Sequence, residues 1–176
     1  MKFNHRDPTR HPRERVFTTQ RDRLLEVVPY LKGVERVSQL SRADLADGVV
    51  QIRNEWTGSP SALPLLLRPL VPPQVLVWRD DTHWDPERWQ ATWSMEVPAM
   101  GPAASIVGVS RFEVDGAGSA VVVEGEFRFF PERLPQAPNM PPQMTPMFEK
   151  FVVGLIVPMV RDAGRAVARF LDDQDS

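Results

Sequence analysis

The segment from Thr145 to Leu171 constrains this chain more than any other. Apolar residues fall at Phe148, Phe151, Val152, Leu155, Ile156, Met159, Val160, Ala163, Val167, Phe170 and Leu171, the three- and four-residue spacing of an amphipathic helix. Thr145 can cap it, Pro146 suits its first position, and Arg161, Arg165 and Arg169 lie toward the end where the helix dipole favours cations. Pro158 predicts a kink, and Gly154 and Gly164 lower its intrinsic stability. Such a helix is roughly 40 Å long and needs an equally long apolar surface to cover its stripe.

The preceding residues supply that surface with the other period. In 49–56, Val50, Ile52, Asn54 and Trp56 alternate with Gln51, Arg53 and Glu55. In 89–97, Trp89, Ala91, Trp93, Met95 and Val97 alternate with Gln90, Thr92, Ser94 and Glu96. Residues 106–114 and 119–130 read as two more strands joined by Asp115-Gly116-Ala117-Gly118, a strong hairpin signal, with Gly125 as a candidate bulge or bend. Segments 34–39 and 75–79 have strand character, and both faces of 75–79 and of 106–114 carry apolar residues. The run Asp80-Asp81-Thr82-His83-Trp84-Asp85-Pro86 has turn chemistry.

Near the N-terminus, Phe3 stands in a segment that can form only a short edge strand. Val16, Phe17, Leu24, Leu25, Val28 and Leu31 then predict helix, split by Pro29 into two short pieces or one kinked one. The proline-rich stretch 59–74 reads as a packed connection, and 131–146, with its methionines, as a loop able to act as a gate. The expected architecture is α+β: a curved antiparallel sheet of about six or seven strands wrapped around a long C-terminal helix, with two short helices after the first strand.

These features together resemble the START-like (SRPBCC), helix-grip superfamily. The resemblance is carried by the early Pro12–Leu31 helices, the tryptophans at 78, 84, 89 and 93, the strand EGEFRFFP and the helix MFEKFVVGLIVPMVRDAGRAVARFL. It covers nearly the whole chain, so 1–176 is expected to be a single START-like domain, and it is similar to a bacterial family in which a Gly-Glu-aromatic strand leads to the last helix. The superfamily includes lipid-transfer domains, polyketide aromatases and cyclases, and coenzyme Q-binding proteins. The resemblance therefore implies a cavity for an apolar or aromatic small molecule. The prolines of 59–74 and 131–146 depart from many relatives and bear on the size of that cavity.

Composition removes several function classes. There is no cysteine among the 176 residues, so disulfides, thiolate metal sites and a Cys nucleophile are impossible. A net charge of −2, from 21 Lys+Arg and 23 Asp+Glu, lacks the basic excess of a nucleic-acid binder. No apolar run is long enough to span a membrane and no secretory leader is visible, so a cytoplasmic location is expected, with no integral membrane segment and no nucleic-acid partner.

The inward faces nominate the residues of a hydrophobic binding site: Asn54, Trp56, Trp78, Trp93, Met95, Ser110, Phe112, Phe127 and Phe129 from the strands, and Phe151, Leu155 and Met159 from the helix. Core packing accounts for any one of them; the five tryptophans as a group suit a pocket wall as well. Asn54 and Ser110, once buried, need hydrogen-bond partners and are able to orient a ligand. No acid–base pair, nucleophile elbow, phosphate loop or dinucleotide motif is visible, and neither cofactor nor metal is expected. His83 with Asp80, Asp81 and Asp85 could be drawn as a metal site, although turn carboxylates more simply face solvent. Binding of a hydrophobic molecule (lipid, polyketide or isoprenoid-like) comes first. A polyketide cyclase or dehydratase is the alternative, and a non-catalytic interaction module with a filled core the third.

Overall fold

The computed structural model describes residues 1–63, 65, 68, 72–133 and 145–176; the side chains at 131, 145–153, 155–157, 159 and 161 lie outside that description. Seven strands form one antiparallel sheet: β1 (Lys2–Thr9), β2 (Val34–Asp44), β3 (Val50–Gly58), β4 (Val77–Asp85), β5 (Gln90–Glu96), β6 (Ala104–Asp115) and β7 (Gly118–Phe129). Their spatial order is β1-β7-β6-β5-β4-β3-β2, a meander whose far end is closed by the N-terminal strand. Two short helices, α1 (Arg13–Asp22) and α2 (Leu24–Val27), follow β1. The last element is α3 (Thr145–Gln174), which runs through Pro158. This is the expected curved sheet with a long C-terminal helix and two short ones.

Alternation explains which face is buried. In β3 and β5 the even and odd sets separate as expected: Val50, Ile52 and Asn54, and Ala91 and Trp93, are buried. The charged set forms cross-strand pairs on the outer face, Arg79 with Glu55 at 2.9 Å, Arg53 with Asp81 at 2.7 Å and Arg111 with Glu124 at 2.9 Å. Around α1, Phe17 packs edge-on against Trp84, Trp89 and Phe112, with centroids 5.1–5.4 Å apart. The far end of α3 is tied to the start of the chain: Arg10 and His11 bond Asp172, and Arg15 makes a two-pronged pair with Asp175.

Three local readings change. Residues 80–85 are strand, not turn; the reversal lies at 86–89 and ends on Trp89, whose φ of 51° takes it out of the strand that begins at Gln90. The aromatic contact with Phe17 and an Arg13 guanidinium 4.3 Å from the indole centroid hold that conformation. Gly125 is not a bulge, since the register of β7 with both neighbours is unbroken there. Gly108 and Gly125 pair directly, and a Cβ on either would lie 2.3 Å from a ring, that of Trp93 or of Phe3. These two rings stack on each other, with centroids 6.5 Å apart, so the glycines make room for aromatics lying flat on the inner face.

Candidate functional site

Between the inner face of β3–β7, the α1–α2 junction and α3 lies a cavity of about 370 Å³. Its walls include Ile52 from β3, Trp78 and Trp84 from β4, Val121 and Val123 from β7, and Val160, Ala163 and Val167 from α3. At the α1–α2 end the lining residues Asp22, Leu25 and Glu26, with Gln39 of edge strand β2, are exposed, so the cavity reaches the surface there. A void of this size exceeds the ~300 Å³ lower bound of ordinary ligand pockets.

The nominated residues divide by where they lie along their strands. Asn54, Trp56, Trp78, Trp93, Met95 and Ser110 line the cavity. Phe112, Phe127 and Phe129 are buried on the correct face but outside the lining: Phe112 packs with Phe17 and Trp84, and Phe127 stacks on Phe129 at 6.5 Å. Parity assigns a side chain to a face; it does not say how far along the sheet the void extends. Phe151, Leu155 and Met159 lie on α3 with side chains outside the described residues, and of the 131–146 loop read as a gate, residues 134–144 also lie outside them.

The residue that strand parity would have found, and the turn reading hid, is Asp80. Trp78, Asp80, Thr82 and Trp84 are all buried and alternate with Arg79, Asp81, His83 and Asp85, so two tryptophans bracket the inward stripe. Antiparallel register sets Asp80 opposite Asn54, and Thr82 opposite Trp93. Asp80 is 6% exposed and lines the cavity. Its Oδ1 accepts from Asn54 Nδ2 at 3.2 Å and from Trp56 Nε1; its Oδ2 accepts from Thr82 Oγ1 at 2.6 Å. Burial raises the carboxyl above its ordinary range, outweighing the three hydrogen bonds that favour the anion. The same geometry dissolves the drawn metal site, because Asp80 faces the cavity while Asp81 lies on the outer face with Arg53 and Gln51.

The other inward polar residue is also satisfied by a side chain: Ser110 Oγ accepts from Trp93 Nε1 at 3.1 Å. On the α1 wall, the buried Oε1 of Gln20 has no hydrogen-bond partner. Chemically, the site offers a largely apolar enclosure with one buried acidic group whose pKa burial raises.

No protein-family model matches the chain, and no curated protein matches it in sequence. Solved structures do match. The TTHA0849 protein of Thermus thermophilus superposes over 100% of both chains with a TM-score of 0.70 at 18% identity. This chain has the helix-grip fold. Other helix-grip structures that align are the Zhui aromatase/cyclase of Streptomyces sp. R1128, over 99% of this chain and 95% of that one, with a TM-score of 0.61 at 14% identity. Norcoclaurine synthase of Thalictrum flavum aligns over 98% and 87%, with a TM-score of 0.58 at 14% identity. The helix-grip resemblance seen in the sequence is thus shown at the level of fold. Among the described residues no helix is long and apolar enough to cross a membrane.

Proposed function

We propose that this protein binds a small, mainly apolar molecule in the cavity between sheet and C-terminal helix. The observation that carries this reading is the void itself: about 370 Å³, walled by four indoles and aliphatic side chains, and open at one end. In this reading Trp56, Trp78, Trp93 and Met95 supply apolar contact, while Asn54 and Ser110, already bonded to Asp80 and Trp93, fix the wall rather than the ligand. Four indole rings on the wall suit a molecule that itself contains rings.

The test is titration with the neutral fluorophore N-phenyl-1-naphthylamine. One-to-one binding is expected, reduced at least about ten-fold in Ala163→Phe, which puts a ring into the void from α3. No saturable binding, or equal binding in that variant with the fold intact by circular dichroism, overturns the reading.

One observation favours a second reading, catalysis of the cyclase or dehydratase kind: a buried carboxyl with a raised pKa inside the cavity is suited to exchange a proton with a bound molecule. Turnover of an aromatic or polyketide-like substrate that Asp80→Asn abolishes, with binding retained, would establish it. The fold neighbours named as an aromatase/cyclase and a synthase support this direction by analogy of fold alone.

A further inference from the structure

The polar groups of the cavity centre on Asp80. One N–H of Asn54, the indole N–H of Trp56 and the hydroxyl of Thr82 all point to it, while the indole N–H of Trp93 points to Ser110. Charge around the cavity is lopsided. The arginines on the lining, Arg21 and Arg23, are paired with Asp22 at 2.8 Å and Glu26 at 2.6 Å, and Asp22 takes Arg42 in addition. Asp81, next in sequence, has Arg53. Asp80 makes hydrogen bonds but no ion pair among the described residues, and four indole rings line the same space.

A buried carboxylate without a cation, beside aromatic rings whose faces attract cations, is the chemistry that recognises an ammonium group. We propose that the cavity selects a compact aromatic or alicyclic amine, bound as its ammonium ion with Asp80 as counter-ion. This inference rests on the small-molecule reading above and narrows it. The ligand's ammonium N–H groups bond the Asp80 carboxylate, and its apolar body fills the space between Trp78, Trp84 and Trp93.

The experiment compares two probes of nearly equal shape, 2-(2-naphthyl)ethylamine and 2-(2-naphthyl)ethanol, by calorimetry at neutral pH on the full chain and on Asp80→Asn. The expected result is at least about ten-fold tighter binding of the amine by the unmodified chain, with that preference lost in the variant and the alcohol's affinity unchanged. If the alcohol binds as tightly as the amine, the amine inference is wrong and the apolar-cavity reading stands. If neither binds, both are wrong. The comparison on the unmodified chain decides the matter even where Asp80→Asn does not fold.

Discussion

Consider Gly108→Ala. The added methyl would sit 2.3 Å from Cη2 and Cζ2 of Trp93 and 2.6 Å from the carbonyl oxygen of Glu124. Ordinary contact begins at 3.4 Å, so the indole must retreat by about 1.1 Å (3.4 − 2.3) and β6 must part slightly from β7. Overpacking of this kind costs about 1–3 kcal/mol. Retreat also stretches the 3.1 Å bond from Trp93 Nε1 to Ser110, a further loss of about 1 kcal/mol. Against this, alanine in place of glycine in a strand recovers about 0.5–1 kcal/mol. The net expectation is destabilisation by about 1–3.5 kcal/mol. Gly125→Ala meets Phe3 at the same 2.3 Å, but Phe3 is half-buried on an edge strand and can swing outward, so its cost should be smaller by about 1 kcal/mol. Urea unfolding followed by circular dichroism measures both, and a double-mutant cycle of Gly108→Ala with Trp93→Ala isolates the ring. In that cycle the two changes should be non-additive by about 1 kcal/mol or more, because removing the indole removes the ring's part of the clash and leaves only the contact with the Glu124 carbonyl. A Gly108→Ala cost below about 0.5 kcal/mol, or strict additivity with Trp93→Ala, would refute the account of a flat ring over a glycine.

Other outcomes follow from the same geometry. Because burial raises the folded-state pKa of Asp80 above its ordinary 3.8, the folded chain holds a proton that the unfolded chain has released, so stability should fall as pH rises from about 4 through the raised pKa. Asp80→Asn should flatten that part of the pH–stability curve and raise Tm at neutral pH; an unchanged curve would show that Asp80 titrates as it does in water. Phe17→Ala, removing a ring 1% exposed that touches Trp84, Trp89 and Phe112, should cost about 3–5 kcal/mol in urea unfolding. Asp7, 5% exposed, accepts from Arg165 at 2.8 Å and bonds His5 at 2.8 Å; Asp7→Ala should cost about 1–3 kcal/mol, and a neutral result would mean that water replaces both bonds.

Strong period-two patterns were legible without coordinates. Val50–Trp56 and Ala91–Met95 alternate, the charged set of the first faces outward in ion pairs with β4, and the Asp115-Gly116 reversal joins β6 to β7 as expected. The start of β4 was legible but residues 80–85 were not, because Asp-Asp-Thr-His carries turn propensity and the compensation lies elsewhere in the chain. Asp80 is tolerable in a buried strand only because Asn54 and Trp56, on the neighbouring strand, donate to it. Phe112, Phe127 and Phe129 show the limit of parity, since a face extends along the whole sheet while the void occupies part of it. Phe3, a lone aromatic in a polar segment, gave no signal of its partner Gly125, more than a hundred residues away.

The pairing of β1 with β7 bears on how the chain is made. Lys2 faces Glu126 and Thr9 faces Ser119, so β1 has no β7 to pair with until well over a hundred further residues have been added. At ordinary translation rates of about 5–20 residues per second, that is a wait on the order of ten seconds. Throughout it β1 is an unpaired edge, and the inner face of the growing meander lacks α3. Arg10, His11 and Arg15 then meet Asp172 and Asp175 only when the last turn of α3 emerges. Once Trp93 has been made, the nascent sheet carries an indole-lined face with no helix over it, and the cavity closes only when α3 is added.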